Sequence, residues 1–160
     1  MAQTPQIKRL RTLYAMMAGI PDFGLNMGAW RSTKIGGDGW SRSNHVTDAD
    51  LLALAENQAH TCGTSACMLG WAAAYPPFKA LGLKYEDTDV CFRGAREYRA
   101  GANFFGLSFN DAMDLFYPVS SSGYTQKQVA MRRIRRLLLK FGAISQDRNR
   151  EIALEDGGAE

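Results

Sequence analysis

Apolar residues recur at intervals of three and four along most of this chain, which is the spacing of one face of an α-helix. The first such segment places Leu10, Leu13 and Met17 on one stripe. It ends at Gly19, shortly before Pro21. The same signals, with capping residues before them and glycine or proline after them, predict further helices starting near Thr47 and near Ser65, and over 98–105, 109–117 and 126–141.

A short β element interrupts this helical pattern. Apolar residues around Tyr85 and around Val90 flank the acidic run 86–89, which predicts a β-hairpin. The segment 33–44 is rich in glycine and serine and predicts a mobile loop or a loose hairpin. The fold class expected is therefore mainly α (α+β): a compact single-domain helical bundle with one short β-hairpin.

Length and composition place the chain among globular proteins. Its 160 residues suffice to bury a core without disulfides, and its contents of 46% hydrophobic and 22% charged residues are typical of a globular domain. The basic first eleven residues lack the apolar run of a secretory signal, and no apolar stretch is long enough to cross a bilayer. Three cysteines, an odd number, favour reduced thiols. We expect a cytoplasmic protein that does not enter a membrane.

Charge is distributed unevenly along the chain. Residues 145–160 carry five acids and two bases, a balance of −3, so the residues before them carry +6 against the chain's total of +3. This asymmetry predicts a single globular domain over 1–144, followed by a polar, acidic and flexible tail over 145–160. A basic body of this kind suits an anionic partner, and the same asymmetry also serves solubility alone.

The segment from His60 to Trp71 concentrates cysteine and glycine. One hypothesis makes Cys62 a nucleophile at a helix amino terminus, where main-chain N–H groups and the helix dipole lower the pKa of a thiol. The base that such an enzyme needs would be His45 or His60, the two histidines of the chain. This hypothesis predicts a thiol-dependent enzyme.

Two other hypotheses explain the same cysteines. Cys62 and Cys67 have the spacing of a zinc half-site, and His60 with Cys91 would complete a set of four ligands. Alternatively, Cys67 in an alanine-rich helix and Cys91 between two apolar residues are small core residues, with Thr64 as the helix cap. The structural interpretation is preferred, so no cofactor is expected, and zinc is the alternative.

The predicted helix over 126–141 offers a candidate binding surface. Four basic residues lie away from its apolar stripe: Arg132, Arg133, Arg136 and Lys140. No acid lies among them, so phosphate groups or an acidic protein surface are natural partners, although many basic helix faces are simply solvated. Trp40, in the glycine- and serine-rich loop, is the aromatic residue best placed to be exposed, and we expect it to form a second contact.

The cysteine segment also carries a family resemblance. The motif C-G-T-x-x-C-x-x-G-W over 62–71, with the later segments 77–78, 82–83, 104–108 and 115–116, resembles a group of small uncharacterised phage and prophage proteins. The segment 23–30 is similar to the same group. The resemblance implies an accessory role for a bacteriophage inside an infected bacterium and implies no particular chemistry.

Two functional hypotheses follow. The first is a phage-type accessory protein that binds a host protein, a defence protein or nucleic acid without catalysis, through the basic helix and Trp40. The second is a thiol- or zinc-dependent enzyme centred on Cys62. The first is preferred because no convincing general base accompanies the cysteine. Charge reversal on the basic helix and Cys62→Ser should therefore have opposite effects under the two hypotheses.

Overall fold

The computed structural model describes residues 3–22, 25, 32–33, 47–49, 52, 64–87, 89–118 and 123–155. Within them the helices are α1 (Pro5–Gly19), α2 (Met68–Ala74), α3 (Pro76–Lys79), α4 (Glu97–Phe105), α5 (Phe109–Phe116), α6 (Gln126–Lys140) and α7 (Gln146–Glu155). The strands are β1 (Ser32–Thr33), β2 (Thr64–Ser65), β3 (Lys84–Glu86), β4 (Asp89–Phe92) and β5 (Ala95–Arg96). The predicted fold class, mainly α with a small β element, is confirmed.

Helix α1 forms where the sequence predicts it. The Thr4 side chain accepts a hydrogen bond from the Ile7 N–H at 3.3 Å, and a proline occupies the first turn, so the helix start is capped. The predicted apolar stripe, including Leu10, Leu13 and Met17, is buried. Helix α1 packs mainly against α6.

The β element is larger than the predicted hairpin. Strands β3 and β4 pair antiparallel across the acidic turn, as expected, and β5 adds a third strand on the other edge of β4. Arg93 and Gly94 connect β4 to β5 with φ values of 49° and 80°. Two consecutive positive φ values are the requirement of a type I′ hairpin turn, so this turn closes the second hairpin. A separate pair joins β1 to β2, with Ser32 opposite Ser65.

Helix α2 begins later than the sequence predicts. The prediction of a start near Ser65 with Thr64 as the cap is wrong, because both residues belong to strand β2. The helix starts at Met68, and Cys67 is its N-cap: its Sγ accepts a hydrogen bond from the Gly70 N–H at 3.3 Å. All seven residues of α2 are buried, as expected for a helix of small and apolar side chains in the core.

An aromatic cluster fills the core between α3, the sheet and α4. The rings of Phe78, Phe92 and Phe105 each meet that of Phe104 nearly edge-on, with centroids 4.9–5.2 Å apart. Such edge-to-face contacts add stability beyond the burial of apolar area. The absence of a side chain at Gly101 allows the Phe116 ring of α5 to approach α4 closely. The Phe105 ring also lies 5.7 Å from the Phe116 ring, centroid to centroid, so the cluster continues into α5.

The helix predicted to start near Thr47 and the tail predicted over 145–160 are each described only in part. After Thr47, the residues Asp48, Ala49 and Leu52 are helical, as expected, and the rest of that helix lies outside the described residues. In the predicted tail, Gln146–Glu155 forms helix α7, with Ala153 buried and the helix in contact with α6. The division into a domain over 1–144 and a tail stays a prediction. Among the described residues, no helix combines the length and apolarity needed to span a membrane.

Candidate functional site

The candidate binding surface is built on α6. A capping box starts this helix: the Thr125 side chain accepts from the Gln128 N–H, and the Gln128 side chain accepts from the Thr125 N–H. The apolar stripe predicted from the sequence is buried at Ala130, Ile134 and Leu138. The burial of this stripe fixes which way each of the four basic residues proposed as contacts faces.

Arg133 is already engaged within the fold. Its Nη1 donates hydrogen bonds to the carbonyl oxygens of Tyr117, at 2.6 Å, and Leu115, at 3.3 Å. These carbonyls lie at the carboxyl end of α5, where main-chain acceptors lack partners in the helix. Burial lowers the pKa of the Arg133 guanidinium, and a guanidinium nevertheless stays charged at neutral pH. Arg133 therefore acts first as a cap of α5.

Lys140 pairs with a carboxylate of α5. Its Nζ lies 2.7 Å from Asp111 Oδ1 and 2.9 Å from Oδ2, and the Ser108 hydroxyl donates to the same carboxylate at 2.8 Å. The hydrogen bond from Lys140, reinforced by that from Ser108, lowers the pKa of Asp111 despite its partial burial. The Lys140 charge is thus partly neutralised.

Arg136 differs from both neighbours. It is exposed, and it makes no hydrogen bond or ion pair with any residue that the structure describes. It lies one turn from Arg133 and one turn from Lys140, on the same face of α6. Among the four basic residues predicted as contacts, Arg136 has the charge that is most accessible to a partner.

The two remaining arginines of this segment are more enclosed. Arg132 is half-buried, and its Nε is enclosed with no hydrogen-bond partner among the described residues. Arg135, which the sequence places at the margin of the basic face, is 2% exposed and belongs to the interior. The basic residues of α6 therefore do not form one continuous solvated face.

Arg133, Arg136 and Lys140 line one wall of an open groove of about 710 Å³ between α5 and α6. Arg132 is not among its lining residues. The lining from α5 and the residue after it consists of Asp111, Met113, Asp114, Leu115 and Tyr117, and Leu137 lies between the cations on α6. The groove thus presents three cations, two carboxylates and apolar side chains. Its volume is that of a site for a small ligand or a few side chains.

Sequence reasoning missed the α5 side of this groove. The sequence alone does not single out Asp111, Asp114 or Tyr117 as contact residues. The available signal was spacing: Asp111, Asp114 and Leu115 recur at three and four residues and so share one face of α5. That this face meets the basic face of α6 is a tertiary relationship, which no local pattern contains.

Three residues of the cysteine hypotheses, His45, His60 and Cys62, lie outside the described residues. Trp40, the predicted second contact of the binding surface, lies outside them as well. The described helix that follows this segment begins at Met68, with Cys67 as its N-cap. The role of Cys62 as a nucleophile stays a prediction.

The two described cysteines are both buried. Cys67 is 1% exposed in the hydrophobic core, and Cys91 is 8% exposed on β4. Burial raises the pKa of the Cys91 thiol, which disfavours the thiolate needed for nucleophilic attack or metal binding. Within the described part of the chain, no three histidine, cysteine or acidic residues come together to hold a metal ion. The full zinc set includes residues outside that part and stays a prediction.

Comparison with protein-family models, with curated proteins and with solved structures finds no match for this chain.

Proposed function

We propose that this chain is a phage-type accessory protein that acts in the host bacterial cytoplasm by binding, without catalysis. Its partner is a host, defence or phage protein, or nucleic acid. The contact surface is the groove between α5 and α6. The observation that carries this proposal is the exposure of Arg136 on a groove wall, with no partner among the described residues.

The groove has the chemistry of a recognition surface. It combines charges of both signs with the apolar side chains of Met113, Leu137 and Tyr117. Three of the four basic residues chosen from the sequence line it. Charged groups around an apolar patch give specificity and speed the encounter with a complementary partner. The phage context is an extension from the resemblance that the 62–71 motif and its accompanying segments carry.

The proposal is tested by affinity capture from bacterial lysate, with bound protein and nucleic acid both quantified. Four forms are compared: wild type, Arg136→Glu, Lys8→Glu and Cys62→Ser. Lys8 is an exposed residue of α1 outside the groove lining, so Lys8→Glu makes the same charge change elsewhere. We expect wild type, Lys8→Glu and Cys62→Ser to capture the same molecules. Arg136→Glu should reduce their recovery by about tenfold or more, because it places a like charge against the partner.

Two results would overturn the proposal. One is equal capture by Arg136→Glu and wild type. The other is loss of capture or of a measured activity in Cys62→Ser, with Arg136→Glu unaffected, which would support the alternative of a thiol- or zinc-dependent enzyme. Circular dichroism and thermal unfolding of every variant establish that each substitution leaves the fold intact.

A further inference from the structure

We infer that the groove between α5 and α6 takes a segment of a protein partner in which an acidic side chain stands next to an apolar one, with Arg136 binding the carboxylate. The inference rests on the proposed function and narrows its partner from protein or nucleic acid to a protein segment of stated chemistry.

Two of the three cations in the groove already have partners within the protein, which favours a ligand with few negative charges. Arg133 donates to the carbonyl oxygens of Tyr117 and Leu115, and Lys140 is paired with Asp111. Arg136 remains as the cation without a partner among the described residues. A guanidinium in this situation suits the bidentate binding of one carboxylate.

The carboxylates of the groove disfavour a phosphate backbone. Asp111 and Asp114 line the same space as the three cations, so the lining carries a net charge of only +1. A nucleic acid strand brings one negative charge with every nucleotide and is held by rows of unpaired cations. Asp114 is exposed and would repel such a strand, whereas a protein segment can place a neutral or basic side chain opposite it.

The apolar part of the groove adjoins the charges. Met113 and Leu137 line it beside the cations, and so does Tyr117, which is 53% exposed. The centroid of the Tyr98 ring lies 6.0 Å from that of the Tyr117 ring. Methionine is an adaptable contact residue, and both methionine and tyrosine are enriched in interfaces. An apolar side chain next to the partner's carboxylate would cover this surface.

The test is selection of a displayed library of random twelve-residue peptides on the wild-type protein, with counter-selection on Arg136→Glu. We expect the recovered peptides to be enriched in aspartate or glutamate adjacent to an apolar residue. Fluorescence anisotropy of the recovered peptides then measures affinity. Arg136→Gln should weaken binding about three- to fivefold, as for an exposed ion pair, and Arg136→Glu about tenfold or more. Lys8→Glu should leave it unchanged.

Other outcomes separate this inference from the proposed function. If selection yields no peptides that depend on Arg136, or peptides without acidic residues, the inference is wrong. The inference is also wrong if an oligothymidine of twenty nucleotides binds more tightly than any recovered peptide and loses this binding in Arg136→Glu. In each case the proposed function still stands or falls on the capture experiment, which makes no assumption about peptides.

Discussion

Arg133 donates a hydrogen bond of 2.6 Å from its guanidinium to the main-chain carbonyl oxygen of Tyr117, at the residue that follows α5. This bond joins the two walls of the groove. It also explains why a basic residue that the sequence assigns to ligand binding is half-buried: its charge compensates the unpaired carbonyls at a helix end.

The same relationship recurs between the two central helices. The Lys127 ammonium donates to the carbonyl oxygens of Ala18, at 2.9 Å, and Ile20, at 2.7 Å, at the carboxyl end of α1. In return, Arg11 of α1 donates to the Ala143 carbonyl just after α6, at 2.8 Å. A part of the chain's positive charge thus stabilises helix ends and is not available to a partner.

The first prediction separates structural from binding arginines. Arg133→Ala should lower the free energy of unfolding by about 1–3 kcal/mol, because it leaves the α5 carbonyls without their charged donor. Arg136→Ala should change it by less than about 0.5 kcal/mol, because that side chain is exposed. Chemical denaturation at neutral pH measures both. Equal destabilisation by the two substitutions would contradict the division of roles.

The second prediction concerns acid. Lys140 and Ser108 lower the pKa of Asp111 in the folded protein below the unfolded value of about 3.9. Ionised Asp111 therefore stabilises the fold above that pH, and this contribution is lost as pH falls through the lowered pKa. The difference in free energy of unfolding between wild type and Asp111→Asn should be largest above about pH 4 and shrink as pH falls further.

The control for this measurement is Asp147→Asn, which changes an exposed carboxylate of α7. It should alter the free energy of unfolding by less than about 0.5 kcal/mol throughout the titration. A difference between wild type and Asp111→Asn that stays constant with pH would show that the carboxylate charge does not stabilise the fold.

The third prediction tests the contact of α4 with α5. A Cβ at Gly101 would lie 2.9 Å from Phe116 Cε2 and 3.2 Å from Leu69 Cδ2, and the buried Phe116 ring has little room to move. Gly101→Ala should destabilise the protein by about 1–3 kcal/mol, although alanine favours helix. Gly19→Ala, where nothing lies within 4 Å, should be neutral or stabilising. Thermal unfolding of both variants decides; a stabilised Gly101→Ala would contradict the packing.

The fourth prediction concerns the thiols. In Cys62→Ser the two remaining cysteines, Cys67 and Cys91, are buried. Iodoacetamide should therefore label neither at an appreciable rate until the protein is unfolded, when both react. Mass spectrometry of native and denatured samples counts the labels. Rapid labelling of either thiol in the native protein would contradict the burial of that cysteine.

Local chemistry made much of the fold predictable. The helices predicted over 109–117 and 126–141 are capped by the side chains of Ser108 and Thr125, and the helix predicted over 98–105 stops at Gly106, whose φ is 67°. The start of α2 was misplaced because Thr64 and Ser65, which resemble helix caps, pair with β1. A strand partner 31 to 33 residues away in sequence overrides a local preference of this kind.

Only the α6 side of the candidate site could be predicted from the sequence. The α6 cations follow from their spacing, yet the sequence could not distinguish Arg136, which is exposed, from Arg132 and Arg133, which are half-buried. Their difference depends on the angle at which α6 packs against its neighbours. The same packing places the carboxylates of α5 in the groove. The mixed charge of the site therefore follows from the tertiary structure and not from the sequence pattern.

The central claim is that partners contact the groove, and photocrosslinking in bacterial cells tests it most directly. A benzophenone amino acid replaces either Met113, in the groove, or Leu81, which is 52% exposed and outside the groove lining. We predict crosslinked adducts from position 113 and none from position 81. Adding Arg136→Glu should abolish them, and adding Cys62→Ser should not. Adducts from position 81 but not from 113, or adducts indifferent to Arg136→Glu, would contradict the account.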